Sequence, residues 1–244
     1  MINKLLLNTI SEKSETIVLT KDNTTSNFDD FLNIQFVSSD YYAVYDNGVS
    51  KAKILSGQDY IDTNKNDLDS KLYVISNSVL KLTTNNSFIF SLDKLSALNK
   101  LQELVLLENS SGGLTSGDIK DLPSSLTKIE IVNNNNLSLN VEDIPYNCRS
   151  FKINGTGDFS TYNRRSWITQ MKTLSIKTTG GSGMSENDVT NLLEDLSETT
   201  WQVNGLVEIL GNHDSLATPT MQPFIDELES KGVTVNLNQF ISFD

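Results

Sequence analysis

The sequence predicts an α/β fold: a solenoid whose curved parallel sheet is backed by short helices, preceded by a small antiparallel β module. Seven copies of the spacing L-x-x-L-x-L-x-x-N begin at residues 77, 101, 126, 148, 171, 204 and 230. Their steps are 24, 25, 22, 23, 33 and 26 residues, the range in which one strand and one return segment form a stacking unit. Residues 1–66 lack that spacing and show short β-branched runs instead.

Those runs lie at 15–20, 32–37, 41–45 and 49–55, and predict about four strands. Asp46, Asn47 and Gly48 separate the last two, and Asn-Gly between β-rich runs predicts a type I′ hairpin. The polar stretch 59–70 follows as a linker. Within it, Asp62-Thr63-Asn64-Lys65-Asn66-Asp67 resembles the start of an oxygen-ligand calcium loop. Asp67 stands where that loop needs Gly, and Tyr73 where it needs Glu, so a linker is the reading.

The repeats, about seven across a domain at 67–244, each predict one strand. The clearest copies are Leu101, Leu104, Leu106, Asn109 and Leu126, Ile129, Ile131, Asn134. Met171, Leu174, Ile176 and Thr179 follow, and Cys148, Phe151, Ile153 and Thr156 are weaker. The ends are read as Asn77, Leu80, Leu82, Asn85, then Asn204, Val207, Ile209, Asn212 and Ser230, Val233, Val235, Asn238. Fourth and sixth positions share one strand face and point inward. The ninth-position Asn is expected to bond backbone groups of neighbouring coils.

Between copies, 93–99 and 117–122 predict a turn or two of helix, and 161–170 a longer one. Ser185-x-x-Asp188 resembles a capping box and leads into the stripe Val189, Leu192, Leu193, Leu196. That longer helix is taken to explain the 33-residue step. Met221, Phe224, Ile225 and Leu228 repeat the pattern across 220–231, with Gly232 as a stop.

Three segments carry a family resemblance. Met184-Ser185-Glu186-Asn187-Asp188-Val189 with Leu192, Leu193 and Leu196 resembles an "LTxADVDxIL" helix. Val207-Glu208-Ile209-Leu210-Gly211-Asn212 resembles an "LDLSGN" strand, and Lys231-Gly232-Val233-Thr234-Val235-Asn236 a "KGWTV" end. Over about 77–238 the chain is similar to leucine-rich-repeat proteins of bacteriophage virions and of the surfaces of Bacteroidetes-type bacteria. The resemblance implies a non-enzymatic virion protein of spike or fibre type. Residues 1–66 would attach it to virion subunits, and the repeats would bind a host surface glycan or protein. The alternatives are a structural or cementing capsid or tail protein, and a bacterial cell-surface adhesin.

Composition narrows the function classes. The net charge of −12 is spread along the chain, so no basic stripe exists to neutralise phosphates and nucleic acid is not an expected partner. A single cysteine, Cys148, excludes an internal disulfide and is read as a small buried residue in a repeat slot. The start, Met1 to Leu7, is not read as a signal peptide, and no apolar run is long enough to insert in a membrane. His213 is the only histidine and is read as a loop residue. No acid, base and nucleophile stand at a believable spacing, so neither an enzyme nor a cofactor or metal site is predicted. The five Asn-x-Ser/Thr sequences are read as chance matches.

The candidate ligand surface is the open sheet face, template positions 3 and 5. Its residues are Glu103, Val105, Lys128, Glu130, Lys152, Ser175 and Glu208, with Val79 and Gly232 at the ends of the first column. Glu103–Lys128 and Glu130–Lys152 are expected cross-strand ion pairs. Position 7 adds Leu107, Val132 and Leu210. Arg164–Arg165 is placed on a return helix, and Gly180-Gly181-Ser182-Gly183 is read as a flexible loop rather than an anion site.

Overall fold

A computed structural model describes the backbone of strands within residues 16–89. With side chains it describes 79–83, 92–107 apart from 94 and 97, 117–132, 140–155, 159, 161–167 and 170–238. The first strands are β1 (Thr16–Lys21), β2 (Leu32–Phe36), β3 (Tyr42–Asp46), β4 (Val49–Ile54), β5 (Tyr60–Asp62), β6 (Lys71–Ile75), β7 (Val79–Thr84) and β8 (Phe88–Ile89). There follow β9 (Glu103–Leu106), β10 (Lys128–Val132), β11 (Ser150–Gly155) and β12 (Met171–Thr178). Helix α1 (Glu186–Ser197), β13 (Trp201–Gly211), α2 (Gln222–Ser230) and β14 (Val233–Leu237) complete the order.

Strands β7 and β9 to β14 lie side by side in chain order, every neighbouring pair parallel. This is an open, seven-strand parallel α/β sheet with few helices, an arrangement compatible with a solenoid. Each of the four middle coils buries its first, fourth and sixth template residues. Leu101, Leu104 and Leu106 are joined by Leu126, Ile129 and Ile131, by Cys148, Phe151 and Ile153, and by Met171, Leu174 and Ile176. Return segments close the same core with Leu92, Leu95 and Leu98, with Ile119 and Leu122, and with Val189, Leu192, Leu193 and Leu196. The coils are also stitched at the strand entrances. Gln102 N–H donates to Leu80 O, Thr127 N–H to Gln102 O, Arg149 N–H to Thr127 O and Lys172 N–H to Arg149 O.

The two outer copies sit in a different register from that expected. Leu82, not Leu80, pairs with Leu104, and Val79 fills the first slot, buried. Leu80 and Leu82 share one parity, so alternation alone does not choose between them. At the other end Val235 pairs with Val207 and Leu237 with Ile209. Val233, Val235 and Leu237 share one parity, and a slip of two residues keeps the same strand face inward.

The 33-residue step has two causes, the twelve-residue helix α1 and an insertion in β13. Trp201 pairs with Met171 and Leu206 with Thr173, so β13 spends five residues where β12 spends two. The insertion is a bulge with Asn204 at φ 60° and Val203 exposed. A Cβ on Gly205 would lie 2.8 Å from the Trp201 ring, so the ring packs on bare backbone there.

The expected helices reduce to 3-10 turns at Leu92–Leu95 and Ile119–Asp121, with a further turn at Val141–Asp143. Helix α1 carries the expected capping box at Ser185 and Asp188, and Gly232 (φ 76°) follows α2. The stretch 161–167 is not helical. The Tyr162 and Arg165 N–H groups donate to the carboxylates of Asp188 and Asp195, which replaces bonds a helix would make.

Antiparallel pairs do form early in the chain, but not as a unit confined to 1–66. Strands β3 and β4 make the expected hairpin, with Asp46 opposite Val49. Strands β6 and β8, beyond residue 66, pair with β1, and β6 also pairs with β3. Strands β2 and β5 instead extend the parallel sheet at its β7 edge. The calcium-like sequence at 62–67 falls outside the described residues except for Asp62 at the end of β5.

Candidate functional site: the open face of the parallel sheet

Parallel register sets the open face in rows. One row reads Val105, Glu130, Lys152, Ser175, Glu208, Asn236 across six adjacent strands. A second places Val132, Asn154, Lys177 and Leu210 side by side. These rows border a cavity of about 160 Å³ lined by Glu130, Val132, Lys152, Asn154, Ser175, Lys177 and Glu208, with Ile131 and Ile153.

Glu208 organises one wall. Ser175 Oγ donates to its Oε2 at 2.8 Å, Lys177 Nζ lies 3.2 Å from the same oxygen, and Asn236 Nδ2 donates to Oε1 at 3.2 Å. Burial alone would raise the Glu208 carboxyl. The bonds from Ser175, Asn236 and Lys177, with the lysine's charge, outweigh that and hold it below its ordinary value. The opposite wall differs. Lys152 is exposed and has neither a hydrogen bond nor an ion pair among the described residues, and the Asn154 side chain two residues on makes no hydrogen bond there either.

All seven expected face residues are on described strands, but they pair otherwise than predicted. Glu103 pairs with Lys81 at 3.2 Å across β7 and β9, a consequence of the shifted first copy. Lys128 turns along its own strand to Glu130 at 3.6 Å. The cross-strand pairs Glu103–Lys128 and Glu130–Lys152 are thus absent among the described residues. Val105 and Ser175 are buried rather than solvated, as is Thr173. Val79 belongs to the core and Gly232 precedes β14, so neither lies on the face.

A second polar cluster, unforeseen from the sequence, lies between the 161–167 stretch and α1. Asp195, 8% exposed, accepts from Tyr162 Oη at 2.8 Å, from Arg164 Nε and Nη2 at 2.9 and 2.7 Å, and from Arg165 N at 3.0 Å. Arg165 donates to the Glu142 and Ile144 carbonyls and stacks over Trp167 at 4.5 Å. Burial lowers the Arg165 guanidinium, and burial followed by the Asp195 bond raises the Tyr162 phenol. A groove of about 510 Å³ opens beside this cluster. Its hydrogen bonds are mutual and join three return segments, which is a structural clasp. The available signal was an acidic residue set among Leu192, Leu193 and Leu196, with Arg164–Arg165 one segment earlier.

His213 lies in the loop after β13, as expected, and is buried there. Met184 N–H donates to its Nδ1 at 2.9 Å, the ring meets Phe159 edge to face at 5.7 Å, and Nε2 has no hydrogen-bond partner among the described residues. Burial pulls it down to about 4, against the opposing charge of Asp214. A Cβ on Gly183 would lie 2.1 Å from Asn212 O, so the glycine loop is a close approach between coils. Asn212 bridges there to Gly181 O, and Asn238 to the Gly211 and His213 carbonyls, as expected of these two repeat asparagines, while Asn85, Asn109 and Asn134 lie outside the described residues. Cys148 is buried as expected, its thiol pushed up to about 12 by burial.

Comparison with family models, curated proteins and solved structures finds no match for this chain. Among the described residues no three His, Cys, Asp or Glu side chains stand close enough to hold a metal ion. No helix there is long and apolar enough to cross a membrane.

Proposed function

We propose that the chain is a leucine-rich-repeat protein that acts by binding, and that its partner docks on the open face of the parallel sheet. One observation carries this reading: the polar row Glu130, Lys152, Ser175, Glu208 is anchored on adjacent strands around a cavity. Side chains based on rigid neighbouring strands lose little freedom on binding, so such a surface is preorganised. The setting is taken from the family resemblance. It is a bacteriophage particle, with residues 1–66 against virion subunits and the repeats against a glycan or protein of the host surface.

The test uses the labelled full chain and a panel of bacterial cells that differ in surface polysaccharide. Saturable binding to some of them is expected, lost in Lys152→Glu and kept in Glu229→Gln, which alters an exposed residue of α2. Binding to none, or binding indifferent to Lys152→Glu, counts against the reading. Loosened particles without loss of cell attachment would point to a cementing role instead.

A further inference from the structure

We infer that the cavity above β11 is a subsite for a carboxylated sugar, a uronic-acid-like ring whose carboxylate sits on Lys152 and Asn154. This rests on the binding role just proposed for the same face. The argument is an asymmetry in which groups are already satisfied. Lys81, Lys128 and Lys177 are each held by a carboxylate, as Ser175 and Asn236 are by Glu208. Among the donors that line the cavity, Lys152 and the Asn154 amide are the two without a partner among the described residues, and they are neighbours on one strand face. A free cation beside a free amide suits a carboxylate, which accepts from both.

The remaining walls select among carboxylates. Glu130 holds Lys128 through one oxygen, and Glu208 keeps acceptor capacity beyond its three donors. Both suit hydroxyl donors. A uronic-acid-like ring has one carboxylate and several hydroxyls, matching one unpaired cation between two acceptor carboxylates. An acidic peptide brings a carboxylate without the ring of hydroxyls that Glu130 and Glu208 would accept from. A neutral sugar would leave Lys152 without a counter-charge. The cavity, about 160 Å³, has room for one ring rather than several.

The test is calorimetric titration of the full chain with hexagalacturonate, and with maltohexaose as the neutral control. The acidic hexamer is expected to bind, more weakly as salt rises. Lys152→Met should weaken it about tenfold or more, while Lys152→Arg and Lys172→Met retain it. Equal affinity for maltohexaose, acidic-hexamer binding unmoved by Lys152→Met, or no binding at millimolar hexamer each overturns the subsite. If hexamer binding fails while cell attachment still depends on Lys152, the subsite falls and the proposed function stands. Attachment indifferent to every face substitution sinks both.

Discussion

His213 and Asp195 are both buried, at 3% and 8% exposed, and each joins segments distant in the chain. His213 accepts the Met184 N–H as a neutral ring, and a proton there would place a charge in a buried site where Asp214 only partly offsets the loss of water. Its folded value, about 4, lies below the ordinary 6.5, so the unfolded chain binds the proton more readily. Its stabilising contribution is therefore complete above about pH 6.5 and is lost as pH falls toward 4. The loss should be on the order of 3 kcal/mol. Melting temperature against pH should show it, and His213→Asn, which retains an acceptor, should flatten that part of the curve. A parallel curve for the variant would refute the assignment. Asp195 is the second such residue. Asp195→Asn removes the charge that Arg164 and the Tyr162 hydroxyl share, and should cost about 2 kcal/mol in denaturant unfolding. Arg164→Met should cost less, since the arginine is exposed.

Among the elements, helix α1 shows local chemistry and packing in agreement. Ser185 Oγ accepts from Asp188 N–H and donates to its carboxylate, while Val189, Leu192, Leu193 and Leu196 face the core. Ser185→Ala should lower stability by about 1 kcal/mol with the fold unchanged, read by circular dichroism during thermal unfolding. The 161–167 stretch shows the opposite case. Its spacing read as helical, yet Tyr162 and Arg165 give their amides to carboxylates on α1. Local pattern could not reveal that Asp195, some thirty residues on, would compete for those amides.

At the level of the whole molecule, the sheet has two faces with opposite tolerance. Leu104 and Ile131 are fully buried in the core that every coil shares. Leu104→Asp or Ile131→Asp should abolish cooperative unfolding of the repeats, because either sets a carboxylate in an apolar interior. The double change Glu103→Lys with Glu130→Lys should cost less than about 1 kcal/mol, since both carboxylates are partly solvated and their lysine partners are surface pairs. Equal melting of the core variants and the parent would show the face assignment to be inverted.

Sequence alone determined the parallel stacking of the middle coils and the residues they bury, because a nine-residue spacing repeated at near-constant steps leaves one self-consistent inward face. It also determined the α1 cap, the β3–β4 hairpin and the strands on which the candidate face stands. Tertiary structure decided the rest. The register of the outer copies needed neighbouring strands, because a slip of two residues preserves the pattern. The bulge before Gly205, the Asp195 clasp and the buried His213 depend on residues distant in sequence. So does the isolation of Lys152, since Lys128 and Glu130 pair along one strand and leave it the unmatched charge on the face.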